Sequence, residues 1–105
     1  MLHAALHLLI PAGLAGVLWP ARWLQATLVL LSGLLIDVDH LLADPVYDPG
    51  RCSLGFHPLH TALPIAAYAL LGAFPRTRLL GIGLLIHILL DAVDCRVNTG
   101  LWYAP

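Results

Sequence analysis

The chain has 105 residues, of which 60% are hydrophobic and 10% charged, and its formal net charge is −1 with histidine neutral. A soluble globular domain carries about 25% charged residues, so this composition is typical of a membrane protein. Because the chain has no basic run, we expect no nucleic-acid partner, and its length leaves room for one domain only, residues 1–105.

Four apolar stretches follow one another along the chain: residues 4–19, 23–43, 58–74 and 79–95. Each is near the length of about 20 residues with which a helix crosses a bilayer, in a working range of roughly 17–25. The sequence therefore predicts an all-α fold, an integral membrane four-helix bundle in contact with the lipid bilayer. A soluble protein with a buried helical core is the alternative.

The connections between the stretches predict the topology. Residues 19–22 and 74–78 each combine a helix-stopping proline with arginine, which predicts tight turns between antiparallel helices on one membrane face. The third connection, residues 44–56, is longer and rich in proline and glycine, so we expect an ordered loop on the opposite face, together with both termini.

The arginines predict the orientation. Three of the five lie on the short turns, so the positive-inside rule places these turns in the cytoplasm and the termini on the outer face of a multi-pass protein. Cys52 and Cys95 fall on the same outer face, where an oxidising compartment permits a disulfide. Free thiols and metal ligation are the alternatives for these cysteines.

The ionisable side chains gather at the outer end of this topology. All six histidines and all six aspartates map there: His3, His7, Asp37, Asp39, His40, Asp44, Asp48, His57, His60, His87, Asp91 and Asp94. Ionisable groups cost free energy inside a membrane and usually serve function, so several at one depth on different helices predict a site.

Spacing narrows the set of site residues. His87, Asp91 and Asp94 stand at i, i+4 and i+7 and share one helix face. We expect metal ligands from the following set: His7, Asp37, Asp39, His40, His57, His60, His87, Asp91 and Asp94. Because the chain has no glutamate, a general base is an aspartate, a histidine or hydroxide on the metal, and we assign catalytic roles to Asp39 and His60.

Imidazole and carboxylate donors together favour a divalent metal, zinc first, with manganese or iron as alternatives. A mononuclear zinc site uses about three protein ligands and water. The chain offers more candidate ligands than one such site needs. We therefore expect either two ions, or one ion whose imidazole ligands are held in place by further carboxylates.

Two prolines stand four residues after histidines: Pro11 after His7, and Pro64 after His60. Because proline has no N–H, each would release the histidine carbonyl from helical hydrogen bonding and open the backbone beside the site. The alternative is that the prolines only kink helices.

Three segments carry a resemblance to a known family: Asp37-Val38-Asp39-His40, the loop from Arg51 to His60, and the series His87, Asp91, Asp94 and Cys95. Over about residues 3–95 the chain resembles a small uncharacterised bacterial membrane-protein family related to the membrane-bound metal-dependent hydrolases. The resemblance implies a four-helix protein of the bacterial inner membrane with metal-dependent hydrolase activity. One departure is Thr61, where the broader family usually has serine. A distant similarity to zinc-dependent phospholipase C implies a lipid phosphoester as the substrate.

The leading functional interpretation is a membrane-embedded metal-dependent hydrolase acting on a lipid ester or phosphoester. Three alternatives come from the same residues: a metal- or proton-handling transporter or permease subunit, bis-histidine haem binding, and a structural protein whose metal staples the bundle. The confinement of polar residues to one end disfavours a continuous transport pathway. A homo-oligomer is also open, because four short helices leave much apolar surface uncovered.

Overall fold

The computed structural model describes residues 2–46, 48 and 50–104, and the side chains of residues 2 and 3 lie outside the description. The described chain contains helices and no strand. There are four α-helices: α1 (Leu2–Leu18), α2 (Trp23–Leu31), α3 (Ala62–Ala73) and α4 (Arg78–Thr99). Three 3-10 segments occur at Pro20–Arg22, Ser32–Leu42 and Pro58–His60. The prediction of an all-α chain with four helices is confirmed.

The second predicted helix, 23–43, changes type in the middle. After α2 the chain continues as the long 3-10 segment, Ser32–Leu42, which has three residues per turn instead of 3.6. Its buried residues recur at every third position: Gly33, Ile36 and Asp39. Exposed leucine and valine side chains recur in the same way at Leu35, Val38 and Leu41, and the last residue, Leu42, is exposed as well. The segment therefore has one buried face, one exposed apolar face, and a third face that carries Asp37 and His40.

The third helix starts later than the predicted residue 58. Residues Pro58–His60 form a separate 3-10 turn, and α3 follows after an extended residue. The carbonyl of His60 accepts a hydrogen bond from the Gly55 N–H at 3.1 Å. It lies outside the helical hydrogen bonding, as predicted, and the extended backbone of Thr61 separates it from α3; whether Pro64 causes this stays a prediction.

Helix α4 contacts each of the other three α-helices. It approaches the second helix closely: a Cβ added to Gly83 would lie 2.6 Å from the Leu30 carbonyl oxygen, and one added to Gly33 would lie 2.8 Å from the Gly83 carbonyl oxygen. Such backbone contact is how small residues pack helices in lipid. The helix passes its predicted end at residue 95 and stops at Gly100, whose positive φ of 80° closes the last turn.

The long loop is fixed to α4 by a disulfide between Cys52 and Cys95, so the disulfide is the alternative that the structure supports. Both cysteines belong to the larger of two buried clusters, which consists of Ile36, Cys52, Leu54, Tyr68, Leu84, Ile88 and Cys95. The smaller cluster consists of Ala15, Ala26 and Leu30. The larger cluster packs beneath the polar end of the fold.

Among the described residues, one helical stretch, Pro20–Leu42, is long and apolar enough to cross a membrane. The apolar helices Ala4–Leu18 and Ala62–Ala73 are shorter. Because core helices of soluble proteins and signal sequences can have the same length and composition, the multi-pass arrangement stays a prediction.

Candidate metal centre

Four side chains from three segments meet at the polar end of the fold. We call them the ligand quartet: Asp37 from the long 3-10 segment, His60 from the 3-10 turn before α3, and His87 and Asp91 from α4. His87 and Asp91 are one helical turn apart and point the same way, as their spacing predicts. The quartet joins positions up to 54 residues apart in the chain (91 − 37).

The donor atoms of the quartet are nearly equidistant. His60 Nε2 lies 3.2 Å from Asp37 Oδ1, 3.0 Å from Asp91 Oδ2 and 3.2 Å from His87 Nε2. His87 Nε2 lies 3.0 Å from Asp37 Oδ1 and 3.1 Å from Asp91 Oδ2. Five of the six edges of a tetrahedron are thus between 3.0 and 3.2 Å, and the sixth pair lies within 4.8 Å.

These edge lengths fit a metal ion. A regular tetrahedron with edges near 3.1 Å has its centre about 1.9 Å from each corner, close to the zinc–nitrogen distance of about 2.0–2.1 Å. Two imidazole nitrogens and two carboxylate oxygens also form a donor set that suits zinc, manganese or iron. The residues present therefore fit a divalent ion.

A carboxylate behind the quartet holds the His60 imidazole. The Nδ1–H of His60 donates to Asp39 Oδ2 at 2.9 Å, and the same oxygen accepts the Leu59 backbone N–H at 2.9 Å. A hydrogen on Nδ1 leaves the Nε2 lone pair directed at the quartet. Such carboxylate–histidine pairs fix both the tautomer and the orientation of a metal-ligating imidazole.

His7 approaches the quartet from α1. Its Nε2 lies 3.1 Å from Asp91 Oδ1, the carboxylate oxygen that does not face the other donors. Its ring meets the His87 ring edge-on, with centroids 4.6 Å apart. His7 is buried at 5% exposure. It therefore supports Asp91 and His87 from behind, and stands outside the quartet itself.

A second group of donors lies beside the first: Asp39, His40 and His57, within 4.8 Å of one another. His40 Nδ1 is 3.0 Å from Asp39 Oδ1, and the His40 and His57 rings stack with centroids 3.7 Å apart. Burial lowers the pKa of His57, and the adjacent His40 imidazole acts in the same direction. Both effects favour the neutral form of His57, which is the form that binds a metal.

Asp94 stands at the edge of this second group. It lines a small polar cavity of about 30 Å³ together with His40 and His57. Its Oδ1 accepts a hydrogen bond from Asn98 Nδ2 at 3.0 Å. Asp94 lies outside the quartet although it shares a helix face with His87 and Asp91.

All nine residues predicted from the sequence as ligands lie in this region: four form the quartet, three form the second group, and His7 and Asp94 lie beside these groups. Two contributors were missed. The Leu59 N–H binds Asp39, and a backbone amide leaves no mark in the residue sequence. Arg51 holds the loop by donating from both terminal nitrogens to the Pro45 carbonyl at 2.9 Å. The sequence signal that could have identified Arg51 was its position at the start of the segment from Arg51 to His60.

The comparisons with known proteins give one match. A family model described as a family of unknown function, DUF6122, matches residues 1–98. No curated protein and no solved structure matches the chain. The function therefore has to be inferred from the site.

Proposed function

The chain belongs to the DUF6122 family of unknown function, and from its site we propose that it is a membrane-embedded metal-dependent hydrolase of lipid esters or phosphoesters. The observation that carries the proposal is the near-tetrahedral quartet of nitrogen and oxygen donors. The motif resemblance to the membrane-bound metal-dependent hydrolases agrees with it and is part of the proposal.

When bound, a divalent ion would lower the pKa of its water and polarise a carbonyl or phosphoryl oxygen of the substrate. The protein does the rest. His60 and His87 would each offer Nε2 to the ion, and Asp37 and Asp91 would balance its charge. Asp39 fixes the orientation of the His60 ring by accepting its Nδ1–H. The catalytic roles predicted for Asp39 and His60 thus become a positioning role for Asp39 and a ligand role for His60.

Several features support a membrane location. Only 33% of the most apolar part of the stretch Pro20–Leu42 is buried within the chain, whereas the core helix of a soluble protein is mostly buried. Large apolar side chains are exposed on every α-helix, among them Val17 at 77%, Leu24 at 63%, Leu63 at 83% and Leu89 at 62%. In water these would form patches beyond what a monomeric soluble protein tolerates. A bilayer satisfies them.

The disulfide supports the proposed orientation. Cys95 lies one helical turn beyond Asp91, so the disulfide and the quartet are at the same end of the protein. Because disulfides persist in oxidising compartments, this end belongs on the outer face of a bacterial inner membrane. The arginine-bearing short turns would then face the cytoplasm, in agreement with the positive-inside rule.

A structural metal is the second candidate function. Four protein ligands in a closed tetrahedron are typical of structural zinc sites, whereas catalytic sites keep one position for water. The exposure of Asp37 favours catalysis: its side chain is 43% exposed, against 0–3% for the other three ligands. Among the four ligands of the quartet, Asp37 is therefore the one past which water and substrate would reach a bound ion.

The test is metal content followed by activity. The protein is purified in detergent without a histidine tag, and metal per chain is measured by elemental mass spectrometry. We expect about one equivalent of zinc, manganese or iron, or about two if the second group also binds. The loaded protein should hydrolyse chromogenic esters or phosphodiesters, and chelation should abolish this activity.

Two results would contradict the proposal in different ways. A protein that takes up no metal on loading would exclude both the enzyme and the structural metal. A protein that holds one equivalent, loses thermal stability on chelation and hydrolyses neither substrate class would instead support the structural candidate.

A further inference from the structure

An apolar cleft opens beside the quartet, between α1 and the long 3-10 segment. Its volume is about 220 Å³, and it is lined by Ala4, His7, Leu8, Leu34 and Asp37. This equals roughly seven water molecules at their liquid volume of about 30 Å³ each, and it is below the 300–1,000 Å³ of a typical ligand pocket. The cleft thus has room for part of a hydrocarbon chain rather than for a whole large ligand.

The cleft ends at the exposed ligand. Asp37 both lines the cleft and belongs to the quartet, whereas His60 is fully buried. A group seated in the cleft therefore reaches the metal position past Asp37. A second cleft of about 200 Å³ touches Asp39 and His57, but both oxygens of Asp39 are already engaged by His40 and His60.

The charged residues around the cleft indicate whether the head group of the substrate is charged or neutral. The carboxylates of Asp37 and Asp91 would balance a divalent ion, and the Asp39 carboxylate behind them is paired with His40 and His60. No arginine or lysine lines the described wall of the cleft. The arginine of the adjacent loop, Arg51, is occupied by the Pro45 carbonyl and stacks on Phe56. Apart from the ion itself, an anionic phosphate would find no arginine or lysine among the described residues of the cleft, whereas an uncharged carbonyl needs none.

Resting on the proposed hydrolase function, we propose that the substrate is a carboxylic ester with a single hydrocarbon chain, which lies in this cleft with its carbonyl at the Asp37 end. The reaction consumes one water: its oxygen bonds to the acyl carbon, the bond from that carbon to the alcohol oxygen breaks, and the alcohol oxygen takes a proton. The products are a carboxylic acid and an alcohol.

The test uses the full metal-loaded chain in nanodiscs of ether-linked phosphatidylcholine, which contain no competing ester. Three probes are compared by kcat/KM: nitrophenyl octanoate, nitrophenyl acetate and bis(nitrophenyl) phosphate. Each buried methylene is worth about 0.8 kcal/mol, so an open cleft that covers a few of them should favour octanoate over acetate at least about tenfold. The phosphodiester should be the poorest substrate.

Two variants of α1 test where the hydrocarbon chain of the substrate lies. Leu8→Trp fills the cleft and should reduce the octanoate-to-acetate ratio by roughly tenfold. Val17→Trp makes the same change on the same helix at a position that is 77% exposed and outside the cleft, and should leave the ratio unchanged. As a readout without catalysis, an alkyl ketone bearing a diazirine should label residues 4–8 after irradiation, and Leu8→Trp should prevent the labelling.

The outcomes separate the two proposals. Equal rates on octanoate and acetate, together with labelling outside α1, would overturn the cleft assignment and leave the hydrolase intact. Preferential cleavage of the phosphodiester would overturn the uncharged head group. Hydrolysis of none of the three probes by a metal-loaded protein would contradict the proposed function, on which this inference rests.

Discussion

His60 Nδ1 donates a hydrogen bond to Asp39 Oδ2 across 2.9 Å, although the two residues are 21 positions apart in the chain. This contact joins the 3-10 turn before α3 to the long 3-10 segment. It also determines which nitrogen of His60 is left for a metal. Asp39 is 4% exposed and His60 is fully buried, so water cannot easily replace either partner.

Replacing Asp39 by asparagine should weaken metal binding without removing a ligand of the quartet. The amide can still accept the His60 hydrogen bond, but it lacks the charge that makes the imidazole a stronger donor to metal. We expect zinc affinity to fall about 10- to 100-fold, measured by competition with a fluorescent chelator. The matched control is Asp48→Asn, an equal change in the loop outside both donor groups. Equal affinities for the two variants would argue that Asp39 does not position His60.

Removing two members of the quartet should abolish tight binding altogether. In the double variant Asp37→Asn, His87→Ala, only His60 and Asp91 remain, which is one ligand fewer than a mononuclear zinc site uses. We expect metal content below about one tenth of the wild-type value by elemental mass spectrometry, with the helical circular dichroism signal retained. Stoichiometric metal in a folded double variant would place the site elsewhere, and the group of Asp39, His40 and His57 would be examined first.

The contact between α4 and the second helix should tolerate no side chain at Gly83. An added Cβ would lie 2.6 Å from the Leu30 carbonyl oxygen, and backbone cannot move aside cheaply. We expect Gly83→Ala to lower the free energy of unfolding by about 1–3 kcal/mol, and to weaken zinc binding because His87 lies one turn further on. The control is Gly13→Ala, since a Cβ there meets nothing within 4 Å. Equal stability of the two variants would contradict the close approach.

The disulfide should contribute much of the stability of the loop. The cysteines are 43 positions apart, and closing a loop of that size corresponds to about 4 kcal/mol in the chain-entropy description. We expect the double variant Cys52→Ser, Cys95→Ser to unfold at a markedly lower denaturant concentration than the oxidised wild type, and to match the wild type treated with reductant. A wild type that reacts with a thiol reagent without prior reduction would show that the bond is absent.

The sequence predicted that these side chains gather at one end of the fold, but it did not predict how they are arranged there. Helical spacing alone places His87 and Asp91 on one face, and the segregation of histidine and aspartate to one end predicts that other segments join them. The division into quartet, second group and supporting residues could not be predicted. It depends on the long 3-10 segment and on the turn Pro58–His60, where hydrogen bonds from distant residues replace the helical pattern. Residue types alone contain no record of those tertiary contacts.

The same reason explains the errors in helix bounds. The apolar run 23–43 reads as one helix because hydrophobicity does not distinguish 3.6 from 3.0 residues per turn over so short a length. For the third helix, the sequence did contain a signal near the start: Pro64 has no N–H, which predicted that the His60 carbonyl lies outside helical hydrogen bonding. That signal did not identify the Gly55 N–H as the donor to this carbonyl.

The three-residue repeat of the segment Ser32–Leu42 also restricts how this chain can change in evolution. Deleting or inserting a single residue before Asp37 would rotate all later side chains by about 120°, which would move Asp39 off its buried face. A change of three residues would shorten or lengthen the segment and keep every face. Among natural relatives, length differences between Ser32 and Asp37 should therefore come in threes.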